Sequence, residues 1–494
     1  MPIIFKQYTI LSMLIVCITC KTHSQQCNCT ISQVSTNTVT PCRETIGTVI
    51  RVKSVQEFQS AINQANTKGG NMSILIEDGI YHVATSASHP YITASKMVIR
   101  SASGNRDKVI LHGDGMKSVD PNTEVGLNIV GNDVLIADLT IRDVGNHGIQ
   151  IGGHRIKVYN VRIQNTYQQM IKGASGNPSI DSVIVQCSLF EYTNNSGPNY
   201  YIGGIDVHKG NAWIVRDNLF KNIISPSGSV AEHAIHFWNN SANTLVERNQ
   251  IINCDRGIGF GLGTSPHKGG IIRNNMIYNN GNGTFNDVGI GLESSPDTKV
   301  YNNTIFIAYN SAIEYRFNST TNVQIINNLT NKVIKSRDGG IATLTTNVIN
   351  AQSNWFVNTS TGNLRLNSAI PSAYDQGTSL ASLLIDDIDQ QKRPQGNGID
   401  IGAHEYSTLT QNSNLDTPID ISIFPNPSNG YINFISERKI NNIEIYNLQG
   451  ILKMQQAFSN SSTVLNTNQL HKGIYWAKIF LEDKYLIMKM VVVL

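Results

Sequence analysis

A chain of 494 residues is long for one hydrophobic core, so two or more folded units are expected. Charged side chains make up only 15% and the net charge is +3, which excludes the bulk field that a binder of nucleic acid or anionic membrane needs. Forty glycines go with many tight turns, and the absence of long Leu/Ala/Glu/Lys stretches excludes a helical bundle, so the chain reads as all-β.

Residues 1–24 read as a cleaved signal peptide. Lys6 precedes an apolar run over 8–20 that is too short to span a bilayer, and Thr22-His23-Ser24 offers small residues for a cleavage site. Cys17 and Cys20 leave with it. A polar segment, 25–50, follows, in which Cys27, Cys29 and Cys42 crowd together. In an oxidising compartment one disulfide to Cys42 is expected there. No His-x-His or second Cys pair lies nearby to complete a zinc centre. Cys187 and Cys254 read as buried apolar fillers.

A domain over 51–406 opens with a helix. Ser54 is placed as its N-cap, Glu57 as its third residue, and Val55, Phe58, Ile62 and Ala65 share one face. A strand at 74–81 comes next. A short helix before the first strand is what covers the open end of a solenoid core. Two strand types then alternate. One carries Asn218, Asn249, Asn275, Asn303 and Asn328 in corresponding places. The other runs through Gly148-Ile149-Gln150-Ile151, Gly204-Ile205-Asp206-Val207, Ala234-Ile235-His236-Phe237, Gly257-Ile258-Gly259-Phe260, Gly289-Ile290-Gly291-Leu292 and Ala312-Ile313-Glu314-Tyr315. Neither type buries its apolar side alone, so the coils must stack. Short strands with Asn and Gly bends at this spacing predict a right-handed parallel β-helix, its asparagines forming a side-chain ladder. Gly257 to Gly263 alternate glycine in one such strand; with no βαβ unit around them, they do not bind nucleotide.

The coils end near Asn350. A closing segment, Asp386-Asp387-Ile388-Asp389 through Arg393-Pro394 to His404-Glu405, precedes a polar linker at 407–419. Residues 420–494 read as a small β-sandwich. Their Phe424-Pro425-Asn426-Pro427, Ile443-Glu444-Ile445-Tyr446-Asn447-Leu448-Gln449-Gly450, Gly473-Ile474-Tyr475-Trp476 and apolar end resemble the C-terminal sorting domain of the type IX secretion system of Bacteroidetes. That resemblance implies Sec export, handling by the type IX machinery, and a secreted or cell-surface product.

Alternation along the second strand type turns Ile, Val and Phe inward and the residues between them outward. One outward column holds Gln150, Lys172, Asp206, His236, Gly259, Gly291 and Glu314. The next holds His208, Trp238, Glu293 and Arg316, and the paired glycines are expected to open space beside them. Acids with histidines can move protons near neutral pH, and tryptophan can hold a sugar ring. Between 202 and 252, Asp206-Val207-His208 and Ile214-Val215-Arg216-Asp217 resemble the mannuronan C5-epimerases and, more loosely, the β-helical alginate and chondroitin lyases. Valine replaces the family's proline, and Gly203 stands where the family has tyrosine.

The resemblance implies that Asp206 and His208 face a uronate, with Glu232 or His233 at another catalytic position. The expected catalytic set is Asp206, His208, His236 and Glu232. Lys209, Trp238, Lys172, Glu314 and Arg316 are expected to bind substrate. Ca²⁺ bridging Asp206, Glu232 and the substrate is a candidate cofactor, although no compact Asp-x-Asp-x-Asp loop occurs. The expected partner is an acidic polysaccharide, and the chain a monomer. The alternatives are a glycan-binding or adhesion protein using the same face, and a glycoside hydrolase using paired carboxylates such as Glu293 with Glu314.

Overall fold

A computed structural model describes residues 27–84, 90–117, 125–173, 179–226, 229–380, 383–407, 421–447, 451–482 and 486–493. The expected signal peptide, and all of the expected linker but residue 407, lie outside the described residues. Two compact units divide the chain, Met1–Thr408 and Leu409–Leu494.

In the first unit, one 12-stranded and two 10-stranded parallel sheets wind into a solenoid, each coil pairing with the coil before and after it. Its core is the inward half of every strand, including Ile205, Val207, Ile235, Phe237, Ile258 and Ile290, all at zero exposure. The helix Val55–Lys68 covers the first coil. The Ser54 side chain accepts from the Glu57 N–H, Glu57 in turn accepts from the Lys53 N–H, and Gly69 ends the helix in the left-handed conformation. Phe58, Ala61, Ile62 and Ala65 are buried in the solenoid core.

The asparagine ladder is continuous. Asn218, Asn249, Asn275, Asn303 and Asn328 each pass an Nδ2–H to the Oδ1 of the next, at 2.9–3.0 Å, and the chain of amides ends on Asn347. The backbone N–H of each donates to the same Oδ1. At these bends the strand-to-strand hydrogen bonding is interrupted, and the amides replace it.

The polar N-terminal segment does not hang free. Its helix Ile31–Thr36 lies on the outside of the solenoid, where Ile31 and Val34 are buried with Leu189, Leu219 and Ala137. Two disulfides hold it. Cys27 joins Cys42, and Cys29 joins Cys187, 158 residues away. Cys187 is therefore not an apolar filler: a bend of the solenoid carries it to Cys29. Cys254 is free and buried. The closing segment also lies on the outside, sealed by Arg393 and Glu405, whose paired side chains are fully buried.

In the second unit the long strand Tyr431–Asn447 pairs antiparallel with Ile421–Phe424, Leu452–Asn466 and Gly473–Leu481, and the last of these pairs with Leu486–Val493. Ile432, Phe434, Ile443, Ile445, Ala477 and Val491 form its separate core.

Candidate functional site

The strand Gly203–His208 buries Ile205 and Val207 in the core, which turns Asp206 and His208 to the outside of its sheet. The next coil's strand Ile235–Trp238 lies in parallel register, Asp206 opposite His236 and His208 opposite Trp238. On the preceding coil, strand Gln169–Gly173 sets Lys172 opposite Asp206. Three consecutive coils thus supply one cluster.

Asp206 is its centre. Lys172 Nζ donates to Asp206 Oδ2 and, at 3.2 Å, to His208 Nε2. Trp238 Nε1 donates to Asp206 Oδ1 at 2.7 Å. His236 Nδ1 lies 3.5 Å from Asp206 Oδ1 and 3.4 Å from Glu232 Oε2. Trp238 is held from two sides as well, stacked on His236 and meeting the His208 ring edge-on at 4.3 Å between centroids. Its indole is a rigid platform rather than a mobile surface residue.

Depth separates the roles open to these groups. The side chains of His208 and Glu232 are 24% and 26% exposed, whereas those of Asp206 and His236 are at 4% and 1%. Burial alone pushes the Asp206 carboxyl up, but Lys172, His236 and His208 outweigh it and hold the group below the usual carboxylate range. Burial, and next the Lys172 ammonium, hold His208 below the usual imidazole value. His208 is therefore neutral at pH 7, which matches the hydrogen bond its Nε2 accepts from Lys172. Lys209 stands at the turn after His208 in the left-handed conformation, φ 53°, and is half-buried.

Glu314 and Arg316 occupy the expected columns but not the cluster. The register runs from His236 to Gly259, Gly291 and Glu314, three coils or about 14 Å away. There Glu314 pairs with Arg337 and Lys335, and Arg316 with Glu293 and Asp338. The two glycines differ: Gly291 lines a small pocket with Glu293, Glu314, Arg316 and Arg337, whereas Gly259 is covered. The His233 imidazole lies over Gly259, where an added Cβ would come within 2.7 Å of the ring.

His233 belongs to a third column, two positions before the core isoleucine of each coil: His147, Gln169, Gly203, His233 and Arg256. His147 is buried, its Nδ1 3.0 Å from the Gln169 carbonyl, and burial holds it down at about 4. Burial likewise holds His233 well below its usual value. Alternation does not find this column: residues two apart share a face, which would turn His233 inward with Ile235, but the chain bends at Ala234 before the strand begins.

Residues 422–493 match the family described as a secretion system C-terminal sorting domain, and that domain directs type IX secretion to the cell surface or extracellular space. No curated protein matches the chain. Among solved structures, the pectate lyase Pel9A is similar at 14% identity and a TM-score of 0.49, over 71% of this chain and 91% of that one. An alginate lyase from Paenibacillus sp. str. FPU-7 is similar at 17% identity and a TM-score of 0.42, over 61% and 99%. PfbA, a surface adhesin of Streptococcus pneumoniae, is similar at 15% and 0.38, over 59% and 85%. At such identities the likeness is one of fold. The chain is an exported parallel β-solenoid protein that carries a type IX sorting domain.

Proposed function

We propose that this protein is a carbohydrate-active enzyme, a lyase or C5-epimerase acting on a polysaccharide that contains uronic acid. The observation that supports it is the Lys172–Asp206–His208 cluster beside the fixed face of Trp238, in which a neutral imidazole reaches solvent next to a buried ammonium.

The C5 proton of a uronate becomes acidic only when the neighbouring carboxylate is neutralised, because the electrons of the broken C5–H bond pass into that group. Lys172 is the cation placed for this. At rest it donates to His208 Nε2; drawing one of its hydrogens to a substrate carboxylate frees that nitrogen's lone pair, and His208 takes the proton. Asp206 keeps Lys172 charged and positioned. His236, enclosed behind Trp238, positions Asp206 and does not touch substrate. If the electron pair then expels O4, a C4–C5 double bond forms, O4 gains a proton and the chain is cut. If instead a proton returns to C5 from the opposite face, the sugar is epimerised with the chain intact.

Incubation with alginate, pectate, chondroitin and glucuronan tests this directly. Ultraviolet-absorbing unsaturated ends select lyase, and deuterium uptake at C5 without cleavage selects epimerase. Asp206→Asn and His208→Ala should each abolish the product, and full activity in both variants would refute the site. A hydrolase would give reducing ends without unsaturation. That reading is weaker, because Glu293 and Glu314 are each tied to an arginine, Arg316 and Arg337, which leaves neither of the pair as the proton donor the reaction needs.

A further inference from the structure

We infer that Glu232, His233 and His236 form a binding site for a divalent cation of the zinc type at the edge of the Asp206 cluster. One ligand atom from each residue lies within 4.8 Å of the other two. Glu232 Oε2, His233 Nδ1 and His236 Nδ1 are all buried atoms without a hydrogen-bond partner. Three orphans at one spot call for an occupant.

The chemistry of His236 says what kind. Its Nε2 lies 3.2 Å from the Gly261 carbonyl, which can only accept, so Nε2 carries a proton and, in the neutral ring, Nδ1 the lone pair. That lone pair faces Glu232 Oε2 at 3.4 Å and Asp206 Oδ1 at 3.5 Å. Three electron-rich atoms repel one another unless a cation sits among them. The separations are long for N–H···O bonds. The 3.4 Å between the two proposed ligand atoms, His236 Nδ1 and Glu232 Oε2, matches the roughly 3.3 Å between neighbouring ligands around a tetrahedral ion with bonds of about 2.0–2.1 Å. A ring N–H held by a backbone carbonyl is also the usual outer support of a metal-bound histidine. His233 is buried, and its partnerless Nδ1 is the nitrogen it can contribute.

Two nitrogens and one oxygen select zinc-like ions over Ca²⁺, which takes oxygen ligands. Among the described residues, the two other groupings of this kind are already satisfied. Cys27 and Cys42 are joined to each other, and Asp389 holds Arg365. Glu232 lies partly exposed, which leaves a coordination position open towards solvent. On the uronate reading proposed above, that position would take a substrate carboxylate oxygen and share its neutralisation with Lys172; metal binding itself does not depend on that reading.

The test uses the exported protein stripped with a chelator. Calorimetric titration with Zn²⁺ should give one ion per chain, and Co²⁺ should give the visible bands of a low-coordinate nitrogen-ligated site. Glu232→Gln and His233→Gln, each checked for a native circular dichroism spectrum, should weaken Zn²⁺ by at least the roughly 10–100-fold that loss of an outer-shell partner alone costs. Absence of stoichiometric Zn²⁺, or two folded variants binding it like the parent, would overturn the site and leave His236 as an imidazolium between two carboxylates. Binding of Ca²⁺ without Co²⁺ bands would overturn it too. One bound Zn²⁺ with no product from any polysaccharide would uphold the site while removing the uronate reading, and product without metal would do the reverse.

Discussion

Replacing Lys172 with methionine removes the cation beside Asp206 while keeping most of the stem's volume. The carboxylate is left almost fully buried with the Trp238 N–H and His236 as its neighbours. Breaking a buried pair from one side costs about 3–5 kcal/mol, and that is the loss expected at pH 7 from denaturant unfolding. The pH dependence carries a sign. In the parent, the folded-state pKa of Asp206 is depressed, so its contribution is present above the unfolded value and is lost as pH falls through the folded value. In the variant, burial without the ammonium raises the folded-state pKa above the unfolded one. Stability then falls as pH rises between the two, by about 1.4 kcal/mol per unit. The deficit should therefore be greatest near pH 7 and shrink towards pH 4. His208 gives a second readout by NMR. The Lys172 ammonium weighs on it more than the Asp206 carboxylate does, so its titration should move up. A deficit under about 1 kcal/mol that is flat with pH, with His208 unmoved, would refute the assignment of Lys172 as the charge that holds this cluster together.

Two further predictions concern the scaffold. Asn275→Ala removes an Oδ1 that accepts twice from Asn249 and an Nδ2 that donates to Asn303 Oδ1 and to the carbonyls of Val246 and Arg273. With the Asn249 N–H orphaned at about 1–3 kcal/mol and further bonds lost, the total should reach about 3 kcal/mol or more by urea unfolding. Asn63→Ala on the exposed helix surface should stay within about 0.5 kcal/mol of the parent, and equal effects would count against a structural ladder. The paired change Cys29→Ser and Cys187→Ser opens a loop of 158 residues, for which chain entropy predicts a loss of about 5 kcal/mol, against about 3 kcal/mol for the 15-residue Cys27–Cys42 loop. A larger drop in melting temperature on opening the short loop would contradict that order.

The solenoid was legible because its two signals are local and repeat. Core isoleucines alternate with outward residues over four or five positions, and an asparagine must meet the asparagine of the next coil, so its spacing records coil length. The same register placed Lys172, Asp206 and His236 in one column and His208 beside Trp238 before any coordinates. Depth was not legible. Alternation says that Asp206 and His236 leave the core, but not that Trp238 and His233 then cover them. The glycine at 259 reads as open space for the same reason: what fills the gap over it comes from another coil, here His233. Nor does any local pattern announce that Cys29 meets Cys187, because that distance is set by where the N-terminal segment comes to lie along the stack.

That segment bears on the site through the coils it grips. Cys187 sits at a bend of the coil between the strands that carry Lys172 and Asp206. The closing segment holds the following coils: Arg248 binds Asp217 on one side and Asp386 on the other, while Gln390 reaches both Asp217 and the Cys29 carbonyl. Both outer segments thus converge on residues 187–248, the stretch that also supplies Asp206, His208, Glu232, His236 and Trp238 at its opposite sheet. A stacked coil is held chiefly by its neighbours, so local slippage of one coil would shift Asp206 relative to Lys172 by a fraction of the 4.8 Å spacing. Fixing these coils from outside restrains that motion at the place where a proton-transfer site tolerates it least. The bracing therefore belongs to the design of the cluster as much as the alternation does.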